Sequence, residues 1–261
     1  MKFPESVARQ YTADLEKWML ELREFEKKEL YPILKVELVG YGKSNDFVSH
    51  DGIFTNIIGV LAKYQEKVKR ALFGEKLEEP VKKMVRGTNK VSESQHRLYA
   101  KKEKVKPGIF RREKWLEPFV KEQVELNSSR IVSIHKQHIS DVEKVLFDSI
   151  NSGLRTKEIS KKIDERWEVG RFSSSKKIAR DQIGSVYSSI NKERQVNNGI
   201  DSYIWMTTKL DRVRPDHQKL HRKKCSWDKP QKIRGRLVHP GEDYNCECTA
   251  KPVFPDLLKG E

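Results

Sequence analysis

Residues 173–208, SSSKKIARDQIGSVYSSINKERQVNNGIDSYIWMTT, change period in mid-course. After the serine-rich opening at Ser173, the apolar residues Ile178, Ile183, Val186, Tyr187 and Ile190 recur at helical steps. Asn197-Asn-Gly199 then ends the pattern with a residue suited to a left-handed cap. From Ile200 to Thr208 the large residues Tyr203, Trp205 and Thr207 alternate instead, as in a strand. A helix feeding a strand here predicts an α+β chain that is mainly α-helical, with a small β-containing module at its C-terminal end.

Upstream of this turning point the helical period dominates. Leu15, Trp18, Met19, Leu22 and Phe25 fall at three- and four-residue steps within a helix expected over about residues 5–38, which Pro32 interrupts or ends. Gly40-Tyr-Gly-Lys-Ser-Asn-Asp46 reads as a turn, and it lacks the Gly-x4-Gly-Lys-Ser frame of a phosphate loop. Ile53, Ile57, Val60, Leu61, Tyr64 and Val68 mark another helix, opened by Ser49-His-Asp51 and ending near Gly74. Residues 75–108 lose the pattern among Pro80, Gly87 and Pro107-Gly108, and predict a looser connector with one or two short helices. Trp115 to Ile150 trace one or two helices, and Thr156, as the capping hydroxyl, opens another that runs to Trp167.

Downstream of Thr208, Leu237-Val-His239 and Cys248 to Val253 supply short strands, with turns at Gly235, Pro240 and Gly241. These readings divide the chain into a helical region over 1–108, a helical part over 109–199 and a small α+β module over 200–261. No repeat of fixed period is present.

Charged residues make up 35% of the 261 residues and hydrophobic ones 36%, a balance that predicts an elongated helical body with much solvated surface. The net charge of +15 points to a polyanionic neighbour, nucleic acid first, although lysine-rich faces paired with Glu at i,i+4 account for part of it. The segment Lys209–Arg236 holds eleven Lys or Arg against three Asp, so Arg212, Arg214, Arg222, Lys223, Lys224, Arg234 and Arg236 are the candidate phosphate contacts. Such contacts carry no base specificity, and no helix-turn-helix or RNA-binding signature accompanies them. Arg212 and Arg214 flank Val213, and in an extended segment both would face one way, toward a carboxylate such as Asp211 or Asp243 or toward a phosphate.

Three cysteines are too few and too uneven for a disulfide framework, which argues for a reducing compartment such as the cytoplasm. The charged start is unlike a signal peptide, and no run of about 18 apolar residues spans a membrane, so no membrane partner is expected. Two of the cysteines form Cys246-Glu-Cys248, with His217 and His239 upstream at loop positions. Two thiolates and two imidazoles compose a tetrahedral structural zinc site, with His221 as an alternate ligand. The competing reading makes Cys246 and Cys248 small apolar residues of a short strand, with the histidines bonded to backbone.

Four blocks in order, Ile178-Ala-Arg-Asp-Gln182, Gly199-Ile-Asp-Ser-Tyr-Ile-Trp205, Asp211-Arg-Val-Arg-Pro-Asp-His217 and His239-Pro-Gly-Glu-Asp-Tyr-Asn-Cys-Glu-Cys248, together resemble the phage Mu F-like minor head protein family, also called head morphogenesis proteins. The resemblance covers roughly residues 115–253; residues 1–110 carry no matching motif and are expected to dock portal or act as a spacer. It implies a minor component inside the head of a tailed phage, made in the host cytoplasm. Portal protein, major capsid or scaffold protein and double-stranded DNA would be its partners, in assembly, packaging or ejection. It implies no catalytic residues. Many relatives have Cys-Pro-x-Cys where this chain has Arg214-Pro-Asp-His217, and Gly where it has His221. Arg180 and Asp181 in the first block read as ion-pairing residues that tie their helix to the C-terminal module. The leading expectation is therefore a non-enzymatic head protein. The alternative is a metal-dependent nuclease or related hydrolase built from Asp211, Asp216, His217, His239, Glu242, Asp243, Cys246 and Cys248.

Overall fold

A computed structural model describes residues 1–43, 50–110, 113–169, 174–208 and 213–260. Helices α1 (Glu5–Glu29), α2 (Tyr31–Lys43), α3 (His50–Leu72), α4 (Glu75–Lys102), α5 (Leu116–Asn151), α6 (Thr156–Val169) and α7 (Ser175–Val196) precede the first strand. Beyond them come β1 (Ser202–Met206), the one-turn helix α8 (Pro215–Gln218), β2 (Lys224–Ser226), β3 (Gln231–Ile233), β4 (Arg236–Val238) and β5 (Thr249–Pro252). The protein is thus mainly helical with a small C-terminal β module. Among the described residues, no helix is long and apolar enough to cross a membrane.

The local signals act where the sequence places them. Pro32 sits in the first turn of α2, where its missing N–H costs no helical bond, and the break from α1 falls at Leu30. Gly199 takes φ +72° at the end of α7; its amide bonds the Val196 carbonyl while that of Ile200 bonds Gln195, closing the helix with a left-handed residue. β1 is the middle strand of an antiparallel sheet in the order β2-β1-β5, with Tyr203 opposite Cys225 and Trp205 opposite Ala250. β3 and β4 form a separate hairpin.

Three local expectations are corrected. Residues 75–102 are one continuous helix, with Pro80 near its start. The apolar period fails there because the buried face of α4 turns polar: Leu77, Val81, Met84 and Val85 give way to Thr88, Asn89, Ser92 and His96, all buried. Gly40 to Lys43 belong to α2 rather than to a turn, while Ser44, Asn45 and Asp46, like Ser49 and Ser173, lie outside the described residues. At α6 the reciprocal cap comes from Glu158, whose carboxylate accepts the Arg155 amide at 2.9 Å, and Thr156 is already helical.

The chain divides into two compact units that do not follow its linear order. One combines Met1–Thr12, Val81–Glu125 and Lys176–Glu261; the other combines Ala13–Pro80 and Leu126–Ser175. Each unit closes its core with stretches distant in sequence. In the second unit Leu15, Trp18, Leu22, Ile57, Tyr64, Val68, Ile131, Val142 and Leu146 are buried. The wholly buried Glu26 lies among them, accepting hydrogen bonds from Trp167 at 3.0 Å and from His138 at 2.9 Å. In the first unit Arg194 of α7 is completely buried and donates to Glu113 at 2.5 and 2.8 Å, to Ser92 at 2.5 Å and to Asn89 at 2.6 Å, which explains the polar face of α4. His96 on that face has its pKa pushed down to about 3, burial being the main cause and Arg194 the next.

Also in the first unit, the sheet core is Tyr203, Trp205, Cys225, Trp227, Ile233, Val238, Cys246, Cys248 and Ala250. Helix α7 meets the loop before β5 at Gly184. A Cβ built there would fall 2.9 Å from the carbonyl oxygens of both Cys246 and Gly241, and one at Gly241, whose φ is +95°, would fall 2.7 Å from the Gly184 oxygen. Both clashes are with backbone, which has no rotamer with which to yield. Gly184→Ala should therefore destabilise the protein by about 1–3 kcal/mol, read as a lowered urea midpoint. A midpoint equal to that of the parent would show that the approach is looser than described.

Candidate metal centre and its cavity

The C-terminal site starts from two turns. Pro215 opens α8 from an extended Arg214, and this single turn directs His217 inward, where it is buried. The second turn runs from His239 to Cys248. The His239 amide bonds the Glu242 carboxylate at 2.6 Å, the Cys246 amide bonds the Asp243 carbonyl at 3.1 Å, and Asn245 takes φ +51°, a conformation Asn tolerates better than most residues. The Asp181 carboxylate of α7 accepts the Asn245 amide.

These turns bring His217, Cys246 and Cys248 together, all buried, with ligand atoms within 4.8 Å of one another. The Nδ1 atom of His217 lies 3.4 Å from Sγ of Cys246 and 3.5 Å from Sγ of Cys248. A tetrahedral zinc with ordinary Zn–S and Zn–N lengths sets its nitrogen and sulfur ligands about 3.6 Å apart. The three donors therefore fit a zinc ion in both spacing and chemistry.

The surroundings prepare the donors for that role. Nε2 of His217 faces the Asp243 carboxylate at 3.1 Å and Nδ1 faces the thiols, so with a metal bound the ring proton would sit on Nε2 and the Nδ1 lone pair would be the donor, the carboxylate–histidine arrangement common behind metal ligands. Asp243 also accepts Arg214 at 2.8 Å, Arg236 at 3.1 Å and the Tyr244 amide at 2.9 Å. Partial burial raises its pKa, but the Tyr244 amide, Arg214 and His217 outweigh this and hold it below the ordinary carboxylate value. Hydrogen bonding from the Cys248 thiol, His217 and the Cys248 amide lowers Cys246 to about 5, and the same proton sharing together with burial pushes Cys248 up. His217 is raised, first by its bond to Cys246 and against burial. The indole N–H of the buried Trp205 acts on Cys248 in the direction that favours its thiolate.

The other predicted ligands lie elsewhere. His239 is buried against Trp227, with Nδ1 2.9 Å from the Tyr203 hydroxyl, and burial lowers its pKa. His221 has its Nδ1 2.8 Å from the Thr207 hydroxyl. The third cysteine, Cys225, is buried beside Tyr203, and burial raises its thiol pKa. Of the wider acidic set, Asp216 faces Arg234 at 3.4 Å, Glu242 holds the His239 amide, and Asp211 lies outside the described residues.

The candidate phosphate contacts divide in the same way. Arg214 and Arg236 are held by Asp243, with Arg236 also 4.7 Å over the Tyr244 ring, and Arg234 faces Asp216. Arg222, Lys223 and Lys224 are exposed, and Arg212 lies outside the described residues. Arg180 and Asp181 do tie α7 to the module: Arg180 pairs with Glu247 and with Glu5 at 3.2 Å, and Asp181 bonds Asn245.

A cavity of about 420 Å³ opens beside the donors, lined by Lys176, Arg180, Thr208, Val213, Arg214 and Asn245 as well as His217, Cys246, Glu247 and Cys248. The expectation of a chain without a catalytic centre is overturned here. That expectation assumed a closed structural zinc site, whereas among the described residues the cluster supplies three protein donors. At Arg214, where the resembling family often has a thiolate, stands a guanidinium bound to Asp243. A three-donor set beside a cavity is the pattern of catalytic zinc sites, and a four-donor set that of structural ones. Lys176 and Glu247 gave no signal in the sequence; Gly184 gave one, as a lone glycine inside a helical pattern.

Residues 140–251, less than half of the chain, match the family described as Phage Mu protein F like protein. An uncharacterized protein of Haemophilus influenzae is 26% identical over 130 residues, 49% of this chain and 28% of its own length. An uncharacterized protein of Methanocaldococcus jannaschii is 30% identical over 131 residues, 47% of this chain and 18% of its own length. The chain thus spans less than a third of either relative, and the similarity to the Mu F-like domain is distant and partial. No solved structure matches it.

Asp243→Asn removes the charge that orients His217. Zinc affinity should fall about 10- to 100-fold in chelator competition, and an unchanged affinity would remove Asp243 from the site.

Proposed function

We propose that this chain is a metal-dependent hydrolase whose zinc is held by His217, Cys246 and Cys248. The observation that carries the reading is the cluster of three donors found among the described residues on the wall of a cavity, with the Arg214 guanidinium beside it. Zinc in such a site supplies Lewis-acid activation of water near neutral pH.

The chain's own residues supply the rest. Asp243 fixes the tautomer and orientation of His217. Glu247, between the two cysteines and lining the cavity, is the carboxylate placed to take a proton from attacking water, and Arg180 pairs with it there. Arg180 and Arg214 line the same cavity, where fixed positive charge stabilises an anion that develops during hydrolysis.

A second reading is supported by the Mu F-like match over residues 140–251 and does not conflict with the first. On this reading the protein would act inside a tailed-phage head, with portal, capsid or scaffold protein and double-stranded DNA as partners. The exposed Arg222, Lys223 and Lys224 suit contact with phosphates whatever the base sequence. Mass spectrometry of purified heads should find the chain, and its absence from both mature particles and precursors would remove this reading.

The hydrolase is tested on the full chain purified without chelator. About one zinc per chain is expected, together with turnover of p-nitrophenyl acetate, p-nitrophenyl phosphate or plasmid DNA. Cys248→Ala should lose both the metal and the turnover. One tightly bound zinc without turnover of any of these substrates, with zinc, magnesium or manganese added, would leave a structural site and overturn the proposal.

A further inference from the structure

We infer that the cavity beside the metal centre takes a phosphate ester, its phosphate held between Lys176 and Arg180. The inference rests on the hydrolase reading and names its substrate class.

Three cations and one carboxylate, Glu247, line the cavity. Their charges are not equally available. Arg214 is spent on Asp243 and on the Tyr244 carbonyl at 2.8 Å, and Arg180 is divided between Glu5 and Glu247. Lys176 is exposed at the rim and forms no ion pair with any described residue. It stands four residues before Arg180 on α7, so both project from one face of the helix over the same opening. Lys176 therefore brings a charge that no described carboxylate takes up to the place where a substrate enters, and an anion is the ligand that this charge favours. A neutral ester or amide would gain nothing from it.

Phosphate is favoured over carboxylate by the number and spread of the donors. A carboxylate has two oxygens in one plane, which a single guanidinium can satisfy. Here an ammonium, a guanidinium and a three-donor metal centre surround one cavity, and a tetrahedral phosphate can turn separate oxygens toward each. Hydrolysis then balances without a further reactant: the water oxygen forms a bond to phosphorus, the ester P–O bond breaks, and the proton accepted by Glu247 passes to the departing alkoxide. The products are an alcohol and the phosphate. The same lining accommodates a monoester or one unit of a diester.

The test uses the full chain loaded with cobalt(II) and titrated with inorganic phosphate at low ionic strength, following the visible cobalt bands. Phosphate should shift the bands, and acetate at the same concentration should not. Lys176→Glu should raise the half-saturating phosphate by about tenfold or more with cobalt stoichiometry unchanged, and Lys176→Arg should titrate like the parent. Competition by p-nitrophenyl phosphate against bis(p-nitrophenyl) phosphate separates monoester from diester. Cobalt bands that ignore phosphate, or Lys176→Glu titrating like the parent, would overturn the inference while leaving the metal site intact. Failure to bind cobalt would be visible in the stoichiometry before any phosphate is added, and would remove the hydrolase reading along with this one.

Discussion

The C-terminal site depends on a backbone-to-backbone approach. Helix α7 and the loop before β5 meet at Gly184 and Gly241, where a Cβ on either residue would fall within 2.9 Å of the other segment's carbonyl oxygens. Because no side chain separates them, the cations of α7 at 176 and 180 and the thiols at 246 and 248 line one cavity. A bulkier residue at either glycine would force them apart. The hydrogen bond from the Asn245 amide to Asp181 and the ion pair of Arg180 with Glu247 flank this contact and fix its register.

Asp243 organises the other side of the site. Its carboxylate meets His217, Arg214, Arg236 and the Tyr244 amide, and only 12% of its own side chain remains exposed. Its partner Arg214 is 35% exposed, and a pair so open to solvent adds little to stability. The effect of the cluster is positional. One negative charge faces Nε2 of His217, leaves Nδ1 toward the thiols and holds the Arg214 guanidinium on the cavity wall.

Both compact units bury polar groups instead of filling their interiors with apolar side chains alone. In one, Arg194 is surrounded by Glu113, Asn89, Ser92 and the Trp115 ring; in the other, Glu26 holds Trp167 and His138. Each buried charge is tolerable because it is paired and hydrogen-bonded, and deleting a single partner would strand the remainder in a medium that solvates it poorly. Such networks admit fewer alternative packings than an apolar interior does, because every donor must find its acceptor.

What the sequence determined by itself was local. Helical spacing in α1, α3, α5 and α7, the left-handed stop at Gly199, the alternation through Tyr203 and Trp205, and the pairing of Cys246 with Cys248 are all written in neighbouring residues, because period and cap chemistry act within a few positions of the chain. The α4 face was illegible because a polar residue reads as outward-facing, and it is partners about a hundred residues away, Arg194 for both Ser92 and Asn89 and Asn191 for Ser92, that satisfy these residues in the interior. Tertiary structure alone chose His217 over His239 and His221 as the nitrogen donor, gave Asp243 to His217, and set Lys176 and Glu247 on a common cavity. Metal and substrate sites are set by convergence in space, and one-dimensional spacing does not record which distant side chains come to face one another.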